Sequence, residues 1–307
     1  MDDRFPFGRA LLLLLVSSSM IAPAAAAADR CADLAKPSTF DEHTAMAAIF
    51  CEYNREKGGS LLPIAHTKTW DLSRAEYLAT PMLASTYVES GVERGVLVVQ
   101  RQSIYESEIV TSHATTAVVS VYVFTHVAGR WQFEKGAKEA LDAGANGMAP
   151  SVELVKLGDT KFGLWFEGGD IHQGYTNAYA YIVTLSTPAI AKVGDIDMGQ
   201  GNPGSCSDDP KERTDGIHKC WDYEGRRDLV RVKGQEYFTL RIAYKGTDSL
   251  DVTDDKQIVA KNDPVCYDFL DGEYAQMDDP DCKGYMPLPD KDVVAGRMGE
   301  TKKTPLN

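Results

Sequence analysis

The chain has 307 residues and a formal net charge of −13, from 45 acidic against 32 basic side chains. That balance excludes a nucleic-acid binder, which needs a basic face to replace the counterions around phosphates. It leaves solubility, or capture of a cationic partner, as the use of the charge. Hydrophobic residues make up 43% of the chain, enough for one large core or for one and a half domains.

Residues 10–16 are leucine-rich and residues 22–28 are almost all alanine. A short apolar run followed by Ala-x-Ala sites predicts a secretory signal over 1–28, cleaved near Ala28, and not a membrane span, which needs about 20 apolar residues. Cys31 follows Ala28-Asp29-Arg30 and lacks the context of a lipid-modified cysteine. A periplasmic or secreted protein is therefore expected. All six cysteines lie after that segment, and an even count in an exported chain predicts disulfides. They fall into three local pairs, so the expected bonds are Cys31–Cys51, Cys206–Cys220 and Cys266–Cys282.

Thr39 and Glu42 have the spacing of a capping box, and Met46, Ile49, Phe50 and Tyr53 follow at helical spacing. An amphipathic helix over 40–55 is predicted, stopped by Gly58-Gly59 and tethered by Cys51, within an N-terminal unit of residues 29–60. Ser73 and Glu76 repeat the capping signal, and Pro81 is expected to end a short helix there. From 83 onward the period becomes that of strands: 83–89, 95–101, 104–112 and 115–127, the last apolar on both faces and so expected to be covered on both sides. Trp131 to Phe133 begins a return strand. Residues 134–150 are rich in glycine and alanine and read as a loop or a helical turn or two, dividing the β-rich domain of 61–286 into two subregions.

The stretch 152–199 is the most regular. Runs at 152–157, 162–166, 177–185 and 189–196 predict an antiparallel meander. Beyond it, 199–220 reads as a polar loop, 221–223, 228–232 and 237–244 as strands, and 266–275 as a hairpin turning at Asp271-Gly272. Residues 287–307 read as a flexible or loosely attached tail. The expected fold is mainly β, an antiparallel sandwich, barrel or irregular propeller with an N-terminal amphipathic helix, held by disulfides.

Between the runs at 162–166 and 177–185 lies the segment richest in chemistry, with Glu167, Asp170, His172, Gln173 and Tyr175 among glycines. Asp170 and His172 are two apart and would share one face of an extended strand. A carboxylate that orients an imidazole can make a general base, which makes Asp170, His172 and Tyr175 the candidate catalytic residues. The plainer reading is an ordered turn whose polar groups satisfy each other. No Gly-x-Ser-x-Gly nucleophile accompanies them, and Ser205 lies in a loop of undetermined relation to His172.

Acidic groups at Asp195/Asp197, Asp208/Asp209, Asp254/Asp255 and Asp278/Asp279/Asp281 raise calcium as a cofactor. None has the spacing of a calcium loop, and turn formation explains them, so no cofactor is expected. Trp131, Trp165, Trp221, Tyr175, Tyr179 and Tyr223 are either a stacking platform or core, and core is the ordinary use. The sequence thus predicts an exported binding or inhibitory module for a cationic protein or cell-envelope ligand. An exported hydrolase using the 167–175 segment is the alternative.

Overall fold

The computed structural model describes residues 39–63, 70–186, 188–213, 217–250, 258–277, 282 and 287–297. Residues 1–38, with the expected signal segment and Cys31, residues 254–255 and 278–281, and the chain after 297 lie outside these residues, and with them the Cys31 end of the expected Cys31–Cys51 bond.

The protein is mainly β. A first antiparallel sheet is built from β1 (Ser60–Leu62), β2 (Tyr77–Glu89), β3 (Val92–Tyr105), β5 (Ala117–Val127) and β6 (Arg130–Ala143), in that order. The short β4 (Glu108–Ile109) pairs with β3. The second sheet takes β7 (Ser151–Lys156), β8 (Phe162–His172), β9 (Tyr175–Thr184), β10 (Ala191–Gly201), β11 (Asp222–Val230), β12 (Thr239–Ser249), β14 (Val265–Leu270) and β15 (Glu273–Gln276) in sequence order. At one edge β16 (Val294–Arg297) pairs with β7, and β13 (Ile258–Ala260) pairs with β12.

Strands with two apolar faces are needed wherever a sheet is covered on both sides, and here two sheets meet that condition. On β5, Val119, Val121 and Val123 pack toward the second sheet, against Leu154, Leu164, Phe166 and Val183. Its other face, Tyr122 and Phe124, packs with Leu97 and Val99 of β3 under the N-terminal helix α1 (Glu42–Phe50). The second sheet repeats the alternation: Leu164 and Phe166 of β8 face the first sheet, while Trp165 between them faces inward. Past β10 that sheet folds over itself. Strand β11 pairs with β10 only through Asp222–Glu224, opposite Gly199–Gly201. Then β11 to β15 close a half-barrel over Trp165, Ile182 and Ile196, contributing Leu229, Leu240, Ile242 and Tyr274.

Several expectations are corrected. Helix α1 runs from Glu42 to Phe50, not 40–55, because Asp41 and not Thr39 is its cap: the Asp41 side chain accepts from the Thr44 amide while Thr44 reaches back. It ends at Cys51, whose φ of 59° leaves the helical region. Pro81 does not end a helix. A single 3₁₀ turn, Leu72–Arg74, is capped by Asp71, and β2 then runs straight through Pro81. The pairing with β3 shifts register between Pro81 and Leu83, and a bulge is where a residue lacking an N–H is tolerated in a strand. Residues 134–143 are not a loop but the continuation of β6, an edge strand with two register shifts against β5. Gly136 is needed there, since a Cβ would stand 2.7 Å from the Tyr122 ring.

The chain passes between the sheets at 144–150, where the Gln102 amide donates to the Gly147 carbonyl and Gln100 accepts from the Ala149 amide. Two disulfides match the local-pair reading, Cys206–Cys220 and Cys266–Cys282. The predicted hairpin turn at Asp271-Gly272 is present, both residues having positive φ. Residues 287–297, assigned to a tail by sequence, include a short helix α2 (Asp290–Val293) and β16. The Leu288 amide also donates to the Leu229 carbonyl.

Candidate functional site: a groove at the hairpin tip

The polar segment 167–177 is not a loop. Strand β8 continues to His172, Gln173 and Gly174 make a two-residue turn with φ of 49° and 84°, and β9 begins at Tyr175. That conformation at both central positions suits the right-handed twist of a hairpin and favours glycine. Asp170 pairs across the hairpin with Asn177, and His172 with Tyr175.

The hairpin tip rests on the loop after β10. The Gly204 amide donates to the Gly174 carbonyl at 2.9 Å, and a Cβ on Gly204 would lie 2.7 Å from the Gly174 Cα. Two glycines facing each other allow this backbone contact. The loop is anchored by Asn202, which is fully buried. Its side chain accepts from the Trp221 amide at 2.8 Å and donates to the Lys219 carbonyl at 3.0 Å. Its own amide donates to the Trp221 carbonyl. With Cys206–Cys220 these bonds hold both ends of the loop in place.

A groove of ≈ 580 Å³ opens between this loop and the hairpin. Met198, Ala178, Trp221 and Tyr223 supply apolar surface, and the Cys206–Cys220 bridge forms part of one wall. Among the described residues that line it, Asp170, Asp222 and Glu224 carry charge, and there is no lysine, arginine or histidine. Asp222 and Glu224 are exposed, while Trp221 and Tyr223, alternating with them, are buried.

Of the sequence candidates, Asp170 lines the groove and His172 and Tyr175 do not. Asp170 accepts from the Ile171 amide at 2.8 Å, and the imidazole facing it at 3.3 Å is His113, not His172. His172 is exposed at the end of β8, and Tyr175 is half-buried against the half-barrel core. Trp131 belongs to the core under α1, and Trp165 donates its indole N–H to Glu167 at 2.9 Å. Tyr179 packs on Tyr181, with ring centres 5.1 Å apart.

Of the acidic residues raised as calcium candidates, Asp195, Asp197 and Asp209 have partners of their own. Asp195 pairs with Lys192, Asp209 accepts from the Lys211 amide, and Asp197 accepts from the Tyr223 hydroxyl at 2.7 Å and the Gly199 amide at 3.0 Å. Among the described residues no three His, Cys, Asp or Glu side chains gather as a metal site. Burial, and then the bond to Asp197, pushes the Tyr223 phenol up, and burial does the same to Tyr244.

Reading the segment 167–177 alone missed Asn202, Asp222 and Glu224. A signal for the last two was present: Trp221-Asp222-Tyr223-Glu224 alternates aromatic and acidic residues with the period of a strand. No protein-family model, curated protein or solved structure matches this chain. Among the described residues no helix is long and apolar enough to cross a membrane.

Proposed function

We propose that this chain is an exported binding module that holds a cationic partner in the groove between the β8–β9 hairpin and the Cys206–Cys220 loop. The observation that carries the reading is the charge of the walls: Asp170, Asp222 and Glu224, and no basic side chain among the described lining residues. The net charge of −13 adds a long-range attraction of the same sign. Export is supported by the leader-like residues 10–28 and by disulfides, which persist in oxidising compartments.

The test is calorimetric titration with hexalysine at low and high salt. Exposed carboxylates at the groove predict binding that weakens at least tenfold as ionic strength rises from about 0.02 to about 0.5 M. The double variant Asp222→Asn/Glu224→Gln is expected to lose most of the affinity. Absence of hexalysine binding, or binding indifferent to salt, would end the proposal. The hydrolase alternative draws less support, because Asp170 faces His113 and His172 stands outside the groove. Turnover of ester, glycan or peptide substrates that His172→Ala abolishes would restore it.

A further inference from the structure

The disulfides Cys206–Cys220 and Cys266–Cys282 sit in opposite surroundings. Cys266 and Cys282 are each 1% exposed. Cys206 and Cys220 are half-buried, and both line the groove. Cys220 stands two residues before Asp222 and four before Glu224, while Trp221 and Tyr223 between them are buried. Alternate side chains of an extended chain share a face, which puts the bridge on the side of the two carboxylates and away from the core. Exchange of a disulfide needs access for an attacking thiolate, so only the groove bond meets that condition in the folded protein.

The segments that this bond joins are also held without it. On either side of Cys206, the Ser207 amide donates to the His218 carbonyl at 2.9 Å, and the Ser205 carbonyl accepts from the His218 amide at 3.4 Å. On either side of Cys220, Asn202 grips the Lys219 carbonyl and the Trp221 main chain. These hydrogen bonds survive cleavage of the S–S bond and keep the two sulfurs near each other. Two thiols held close re-form their bond as an intramolecular step.

We propose that Cys206–Cys220 is an exchangeable bond, at which the groove takes up a small thiol as a mixed disulfide, and that Cys266–Cys282 is a fixed one. The incoming thiolate bonds to one of the two groove sulfurs and the S–S bond breaks. The other sulfur leaves with the electron pair and takes a proton from water. A dithiol reagent completes the reduction: its second thiolate displaces the protein sulfur, leaving a disulfide on the reagent and two thiols on the protein. Because the attacking group is an anion, Asp170, Asp222 and Glu224 in the groove walls slow a reagent of further negative charge and favour one that carries an ammonium group.

The experiment treats the intact protein at low ionic strength with cysteamine, 2-mercaptoethanol or 2-mercaptoethanesulfonate, each at the same thiolate concentration. Acid quenching, alkylation and peptide mass mapping then follow each cysteine with time. Adducts and free thiols are expected at Cys206 and Cys220 about tenfold or more faster than at Cys266 and Cys282, since access governs the rate. Cysteamine should react about fivefold faster than the sulfonate, and the gap should close near about 0.5 M salt. Asp222→Asn/Glu224→Gln should narrow the same gap at low salt. The β circular dichroism signal should persist while the groove bond is open, and removal of the thiol should restore that bond. Equal rates at the two bonds, no preference for the cationic reagent, or loss of the β signal as the first bond opens would each overturn the proposal.

Discussion

At the scale of single residues, the groove depends on groups that never touch a ligand. Asn202 joins the end of β10 to the start of β11 through three hydrogen bonds in a fully buried position. Asn202→Ala leaves the Trp221 amide and the Lys219 carbonyl without that partner. A loss of about 2 kcal/mol is expected, since an unpaired amide on the buried Trp221 costs about 1–3 kcal/mol. Urea denaturation measures it, and an unchanged midpoint would show that the loop is held by its disulfide alone. Gly204→Ala drives a methyl group into the Gly174 backbone, which cannot retreat as a flexible side chain would. The hairpin tip and the loop must then separate, so hexalysine affinity should fall even where stability changes little.

At the scale of elements, β8 and β9 are the test of the layered design, because each is buried on both faces. Leu164 belongs to the core between the sheets and Ile182 to the half-barrel core, and both are fully buried. Leu164→Ala and Ile182→Ala should each cost about 2–5 kcal/mol. Were either near neutral by denaturant midpoint, one of the two layers would not exist in solution. The edge strand β6 follows a different rule. It is long and pairs on one side only, but it carries Glu134, Lys135, Lys138, Glu139 and Asp142 and two register shifts, which discourage a further strand from joining. The glycine and alanine content makes 134–143 read as a loop, while its charges are those of a protected edge.

At the scale of the whole molecule, burial holds a set of phenols protonated. Tyr87, Tyr223, Tyr244 and Tyr274 are all raised above the ordinary tyrosine value, with burial the largest cause in each. The fold favours their neutral form, so this stability is complete below the unfolded value of about 10 and is lost as pH rises above it. Absorbance at 295 nm should show these phenols ionising late, together with loss of β circular dichroism. Early ionisation in a folded protein would contradict their burial. The disulfide Cys266–Cys282 closes a span of 16 residues, and its removal by Cys266→Ser/Cys282→Ser should cost about 3 kcal/mol in the chain-entropy model. Thermal melting before and after checks that value.

What the sequence determined by itself was the strand character of most of the chain, the two local disulfides among the described residues and the double burial of β5. Each follows from patterns within a few residues: alternation, β-branched runs, cysteine spacing and the Asp271-Gly272 turn. Only the tertiary structure decided that β2 continues through Pro81 and that 134–143 is a strand, because a bulge and a protected edge depend on the neighbouring strand. The groove belongs to that second kind. Asp170 and the pair Asp222 and Glu224 are some fifty residues apart in the chain. They meet because β8 to β11 are consecutive neighbours in one sheet and because Gly204 can lie against Gly174. A local pattern carries no trace of such a meeting, since the contact energy that creates it is shared between distant parts of the chain.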